Sequence, residues 1–501
     1  LSQIKKGALL NYVTIIITNV VGLLLTPFII QKLGDAEYGV YLAIGALVGS
    51  ISVLDFGLNN TIVRFVAKYQ AEKDIKAEEN FLGTVMLIYV FISALIVAFG
   101  TVFYFNIDTY FTKMSTEEID IAKTMFIILL FNLAIRLPGG SFTGICSGYE
   151  RFVYPKMLNI IRYIVRSIMV LAILFLGGKA ISIVIIDTIM NLIMILLTGK
   201  YVFYNLRVRI KLHTLDYSFI KQILRYSIWV FVFSLVSIFQ WKAGHIILGN
   251  IAIPEVLAIY GVGIMLGTYY GAFSTAISSV FLPRATQMTA SNATSKELTD
   301  MMIKIGRVSF ILLIYILGAF ILYGKQFVYL WVGENYHDSW LIALFIMIAY
   351  TIPLTQGFTG SLIEAQNKVA FKSIVYLLFL SVGTGLGYFL AREHGAIGMI
   401  VGTVIGWLIA QNVMNYFYHR TLKLNIFRFF KELFYKTLFI QVIIVVIGLG
   451  INFIPGNGWV NFFVKCLLYT LTFSILMYSF GMISYEKQIF KTAFEKLKTR
   501  K

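Results

Sequence analysis

YGVYLAIGALVG at residues 38–49 returns as YGVGIMLGTYYG at residues 260–271. Tyr38, Gly39, Val40, Gly45 and Gly49 are answered in register by Tyr260, Gly261, Val262, Gly267 and Gly271. Leu-Gly and a small polar residue precede each copy, as Leu33-Gly34-Asp35 and Leu248-Gly249-Asn250. Further along, RLPGGSFTG (136–144) is answered by TIPLTQGFTG (351–360), which pairs Pro138 with Pro353 and Phe142-Thr143-Gly144 with Phe358-Thr359-Gly360. Anchors in one order and at nearly one offset identify the two halves of the chain as repeats of each other.

The material between the anchors is membrane protein. Of 501 residues, 59% are hydrophobic and 13% charged, with a mean hydropathy of +0.82; ordinary soluble domains carry about a quarter charged residues. Apolar runs of about twenty residues, the length that crosses roughly 30 Å of hydrocarbon, follow one another. The short alternating segments of an outer-membrane barrel do not dominate. The fold class is an all-α integral membrane protein. Fourteen spans are expected near 8–30, 38–59, 81–105, 121–145, 156–177, 180–203, 223–249, 256–281, 302–324, 340–363, 371–391, 395–418, 437–455 and 459–483. The first is too long, and lacks the cleavage site, for a signal peptide.

Thirty of the 42 lysines and arginines fall in segments on the side of the N-terminus and five on the other side. By the positive-inside rule both termini are cytoplasmic. The net charge of +18 then faces anionic headgroups, and no nucleic-acid partner is needed to explain it. Segments 61–79 and 485–501 read as interfacial helices; in the latter Ile489, Phe490, Ala493, Phe494 and Leu497 share a face.

Because each repeat holds an even number of spans, the two lobes are oriented alike and related about the membrane normal, which is transporter architecture. The expected division is an N-terminal lobe (1–205), a cytoplasmic linker (206–222), a C-terminal lobe (223–420), an additional helix pair (421–483) and a cytoplasmic tail (484–501). Pro138 and Pro353 are expected either as hinges or as static kinks. Cys146 and Cys466 are too few for a disulfide framework. No metal-ligand spacing, phosphate-binding loop or catalytic constellation appears, so no cofactor and no enzymatic activity are expected, and energy would come from a coupling H⁺ or Na⁺.

Charges inside spans are costly and mark cavities or partners. Asp55, Arg136, Arg162, Arg166, Asp187 and Lys242 are the candidates. Arg162 and Arg166 share a helix face. With the repeat as ruler, Thr351 stands opposite Arg136, Leu378 opposite Arg162 and Val382 opposite Arg166. Scaffolding therefore does not require these arginines, and a cationic wall for an anionic substrate is expected, guanidinium being the natural partner of phosphate. Two alternatives stand beside it: snorkelling of Arg162, and neutralisation of Arg166 by Asp187. Lys242 snorkels or faces the cavity. Gln240, Trp241 and His245 near it bind sugar or form an interfacial belt. Asp55 and Asp187 serve ion coupling or charge pairing. Arg64, Arg284 and Arg307, at cytoplasmic span ends, contact headgroups or line an entrance.

LGDAEYGVY (33–41), LDFGLNNTIVRFVAKY (54–69), GYERF (148–152), FLPRATQM (281–288) and WVGENY (331–336) together resemble the Wzx-type polysaccharide-transport flippases. That family belongs with the MATE exporters and MurJ lipid II flippases in one exporter superfamily, abbreviated MOP. The resemblance implies a bacterial inner-membrane flippase that moves undecaprenyl-diphosphate-linked oligosaccharide repeat units to the outer leaflet by alternating access. The product would feed capsule, O-antigen or exopolysaccharide synthesis, with polymerase and chain-length proteins as neighbours. A MATE-like multidrug exporter and a lipid II-type flippase are the alternatives. Cationic drugs would call for embedded carboxylates, whereas basic residues predominate here.

Overall fold

The computed structural model describes residues 3–278, 282–291, 293–366, 368–488 and 491. Among them every regular element is helical. Eleven helices are long and apolar enough to cross a membrane, or twelve if a bent pair is one span. Fourteen spans were expected; two of these, 371–391 and 395–418, lie in the single 52-residue helix Val369–Arg420, whose backbone leaves helical geometry at Gly395 (φ 53°).

The chain packs as two compact units. One comprises Leu1–Gly261 with Leu380–Met399, the other Val262–Phe379 with Ile400–Lys501. The first holds α1 (Gln3–Leu33), α2 (Asp35–Ile51), α3 (Leu58–Glu72), α4 (Ile75–Tyr104), α5 (Ile107–Tyr110), α6 (Thr116–Gly148), α7 (Val153–Phe175), α8 (Ala180–Lys200), α9 (Tyr217–Trp241) and α10 (Ala243–Ile251). Helix α6 is its centre, packed on α2, α3, α4 and α8, while α1 lies along α7. Small residues make this close approach possible: a Cβ at Gly139 would meet Ile195, and one at Gly148 would meet Val66.

The remaining helices are α11 (Pro254–Ser278), α12 (Leu282–Ala290), α13 (Ser295–Val332), α14 (His337–Thr355), α15 (Gly357–Ala365), α16 (Val369–Arg420), α17 (Ile426–Phe434), α18 (Thr437–Asn452) and α19 (Trp459–Leu476). In the second unit α13 is central and touches α14, α15, α17, α18 and α19. Both α6 and α13 begin with a reciprocal capping box, Ser115 with Glu118 and Thr294 with Glu297, which satisfies N–H groups that a helix start leaves open.

Arg307 corrects an expectation. It was placed at a cytoplasmic entrance, yet its side chain is only 2% exposed. Its Nε donates to Glu486 Oε1 at 2.5 Å and its Nη1 to Tyr435 O at 3.2 Å, with further bonds to the carbonyls of Glu432 and Gly481. Every face of the guanidinium is used by the chain, so none is left for a headgroup; Arg307 clamps the C-terminal helix pair to α13. The interfacial helix read over 61–79 is also two pieces. Helix α3 ends at Glu72, Lys73 turns left-handed (φ 55°), and Asp74 caps α4 through Ala77 N at 3.0 Å. Of the tail, Ile489, Phe490, Ala493, Phe494 and Leu497 lie outside the described residues.

The doubled motif plays two parts. In α11, added Cβ atoms at Gly263, Gly267 and Gly271 would come within 2.6, 2.6 and 2.5 Å of Ile342, Ile346 and Tyr350, which lie one turn apart on α14. This is the small-residue stripe that lets membrane helices touch. In α2, by contrast, Gly45 has nothing within 4 Å of an added Cβ, and Gly49 lies against the Lys242 ammonium. Gly267→Ala is therefore expected to overpack and lower the melting temperature in detergent, by about 1–3 kcal/mol of stability. Gly45→Ala at the equivalent position is expected to melt as the parent does. Equal melting of the two variants contradicts this asymmetry.

Candidate functional site

The second predicted span, 38–59, is not one helix. After α2 the chain tightens into a 3₁₀ turn over Ser52–Asp55, then Phe56 (φ 51°) and Gly57 (φ 68°) take left-handed backbone before α3 begins. Glycine adopts this conformation freely, whereas Phe56 does so at a cost of roughly 1–2 kcal/mol. The Asp55 carboxylate holds the break together. It accepts from Tyr89 Oη at 2.8 Å and from the backbone N–H groups of Gly57 and Asn59. Broken helices inside membranes are tolerated where they line a cavity or are buried in protein.

A recess of about 360 Å³ opens at this break, lined by Gly49, Ser52, Asp55, Asn60, Ser234 and Lys242 among others. Lys242 sits at the corner between α9 and α10, whose axes bend by 47°. Its Nζ lies where a side chain at Gly49 would otherwise stand. Gln240 and Trp241, the last residues of α9, are half-buried and are not among the residues lining the recess. His245 is buried on α10 with its ring edge-on to Tyr260 at 4.9 Å.

Arg162 and Arg166 stand four residues apart on α7, and both are half-buried. Arg166 grips Asp187 of α8 with two parallel bonds, Nε to Oδ1 and Nη2 to Oδ2 at 3.0 Å. The Arg166 and Asp187 side chains are 20% and 28% exposed, and Tyr41 and Tyr163 lie beside them. Arg136 is exposed on α6 and close enough to Asp55, Arg162 and Lys242 for their charges to act on one another. Arg162 in turn feels Arg166 and Asp187. All six membrane-embedded charges singled out in the sequence thus form one electrostatic cluster within the first unit: four cations against two carboxylates. Among the described residues, no carboxylate comes within ion-pair distance of Arg136, Arg162 or Lys242.

Arg64 is exposed on α3, and the Arg284 side chain is outside those described. Pro138 stands inside an uninterrupted α6. Pro353 precedes a real break: α14 stops at Thr355, Gln356 is non-helical (φ −94°, ψ 18°), and α15 starts at Gly357. Sequence reasoning passed over what this break holds. Buried Gln411 donates to Gln356 Oε1 at 2.5 Å, Gln356 donates to Asn415 Oδ1 at 2.9 Å, and Tyr376 donates to Gln411 Oε1 at 2.5 Å. Gln411 and Asn415 at a spacing of four in an apolar span were the available signal. A second chain of amides was also missed: Asn191 donates to Asn132 at 2.7 Å and Asn132 to Thr188 at 3.1 Å, joining α8 to α6.

Comparison with known proteins follows this geometry. Two curated relatives carry the name "Putative O-antigen transporter". The one from Shigella flexneri is 21% identical over 83% of this chain and 98% of its own length; the one from Salmonella typhi is 19% identical over 77% and 89%. Among solved structures, the inward closed conformation of the lipid II flippase MurJ superposes with a TM-score of 0.71 at 17% identity, covering 93% of this chain and 97% of that one. An inward-facing multidrug MATE transporter of the MOP superfamily gives 0.58 at 15% identity, covering 79% and 96%. The fold is that of these multi-pass transporters. Residues 4–289 match the family model described as polysaccharide biosynthesis protein, and the chain belongs to that family.

Proposed function

We propose that this protein is a flippase for polyprenyl-diphosphate-linked oligosaccharide repeat units. It would carry them from the cytoplasmic to the outer leaflet by alternating access, for assembly of a surface polysaccharide. The observation that carries this reading is the charge cluster of the first unit. Its excess is positive by two, and Arg136, Arg162 and Lys242 have no carboxylate at ion-pair distance among the described residues. Unpaired cations at membrane depth are expensive unless a ligand uses them. A diphosphate supplies the missing charge and the oxygens that guanidinium and ammonium groups bind.

The two O-antigen transporter relatives support the same substrate class. The positive excess speaks against export of cationic drugs. In this reading the glycan lies against neutral polar groups, with Ser52, Asn60 and Ser234 of the recess as the first candidates. The polyprenyl tail stays in lipid, both termini are cytoplasmic, and the membrane is the bacterial inner membrane. An H⁺ or Na⁺ gradient drives the cycle, with Asp55 and Asp187 as the carboxylates available to couple it; polymerase and chain-length proteins take the product.

Replacing Arg136, Arg162 and Lys242 together by Ala is expected to cut surface polysaccharide at least about tenfold at unchanged membrane levels of the protein, since each charge-assisted bond contributes ~1.5–3 kcal/mol. Full polysaccharide at normal protein levels sinks the proposal, and energy-dependent resistance to cationic dyes without a glycan phenotype would favour the drug exporter. Arg166 and Asp187 call for a different comparison. Arg166→Ala alone strands a carboxylate and is expected to lower protein yield, while Arg166→Ala with Asp187→Ala restores the yield. If Arg166 only neutralises Asp187, the double variant also recovers transport; if Arg166 holds substrate, yield returns and transport does not.

A further inference from the structure

The C-terminal helix pair has no counterpart in the repeat, and its open end carries a site of its own. Where α18 begins and α19 ends, a recess of about 540 Å³ is lined by Lys436, Phe439, Ile440, Phe480, Ile483 and Lys487 among others, with no acidic residue in the lining among the described residues. The neighbouring carboxylate, Glu486, is only 1% exposed and committed to Arg307. Each lysine stands beside a tyrosine ring. Lys487 Nζ donates to Ser479 O at 3.1 Å and stands 5.4 Å from the Tyr478 ring centre. Lys436, held in left-handed backbone (φ 62°), stands 5.2 Å from the Tyr435 ring centre.

The rest of the lining is apolar apart from Ser479 and Ser484. Phe439 is 70% and Phe480 60% exposed, and they continue into the exposed faces of α18 (Val442, Val446) and α19 (Leu471, Ile475). A positive recess at a span end, opening onto apolar helix faces, matches one chemistry: a phosphate headgroup joined to hydrocarbon chains. The sequence KTAFEKLKTRK at 491–501 carries five cations and one carboxylate, the same sign as the recess.

We infer that this recess binds an anionic diacyl phospholipid, with its phosphate at Lys436 and Lys487 and its acyl chains along α18 and α19. The site is separate from the charge cluster of the first unit and does not rest on the flippase reading. Occupancy would reinforce the Arg307 clamp from its outer side, because Glu486 and Lys487 are consecutive and face the clamp and the recess respectively.

The test uses the full chain in phosphatidylcholine nanodiscs with a photoactivatable phosphatidylglycerol probe, the labelled peptides being mapped by mass spectrometry. Labelling is expected in 436–440 and 479–487, and unlabelled phosphatidylglycerol should compete it away where phosphatidylcholine and inorganic phosphate do not. Lys436→Gln with Lys487→Gln is expected to weaken labelling about twenty-five-fold, roughly fivefold per lysine; the Lys→Arg pair should retain it. Competition by phosphatidylcholine would mean an apolar groove without headgroup recognition, competition by inorganic phosphate a plain anion site, and labelling elsewhere no site at all; each overturns the inference. The competition arms need only the parent protein, so a poorly folding variant does not shield the proposal.

Discussion

A charge placed inside a hydrocarbon slab has to be paired, hydrated or used, because the surroundings offer no other stabilisation. This chain applies the three options in different places. Arg307 and Glu486 are paired and sealed, with carbonyl groups taking the remaining guanidinium hydrogens. Arg166 and Asp187 are paired but left a quarter or so open. Arg136, Arg162 and Lys242 have no carboxylate at ion-pair distance among the described residues, and Arg162 and Lys242 each feel the field of Arg136. The charges thus run from sealed to open, and residue type alone does not reveal which is which.

Backbone breaks follow the same logic. A membrane helix can leave its hydrogen-bond ladder only where something else satisfies the freed groups. At Ser52–Gly57 the carboxylate of Asp55, itself held by the Tyr89 phenol, accepts from the backbone N–H groups of Gly57 and Asn59; at Gln356 the hydroxyls of Thr355 and Thr359 donate to the carbonyls of Ile352 and Gln356. The two breaks thus differ: a carboxylate meets backbone N–H groups at the one beside the recess, and hydroxyls meet backbone carbonyls at the other.

Much of this was legible before any coordinates. Hydropathy located the spans because twenty apolar residues have few other uses, and the repeat ruler singled out Arg136, Arg162 and Arg166 because their counterparts are Thr, Leu and Val. What escaped depended on the third dimension. A hydropathy window cannot see that 38–59 is interrupted, since Phe56 and Gly57 are as apolar as a helix interior requires. Arg307 looked like a span-end residue because its partner lies 179 positions away. The pairing of Arg166 with Asp187 was one of two open readings, and only geometry brings their oxygens and nitrogens face to face. Glycine spacing promised the same packing in both copies, yet an added Cβ at Gly267 would run into Ile346 while one at Gly45 would meet nothing within 4 Å.

The clamp at Arg307 also sets a timetable. Its carboxylate partner is made 179 residues later, which at about 5–20 residues per second is a wait of roughly ten to forty seconds during synthesis. Throughout that interval the Arg307 guanidinium lacks its carboxylate, and the carbonyls of Glu432, Tyr435 and Gly481 that complete the clamp also come late. Biogenesis of this protein is thus tied to the completion of its C-terminus, and a chain truncated after the second repeat would leave the ribosome with its costliest charge still unanswered.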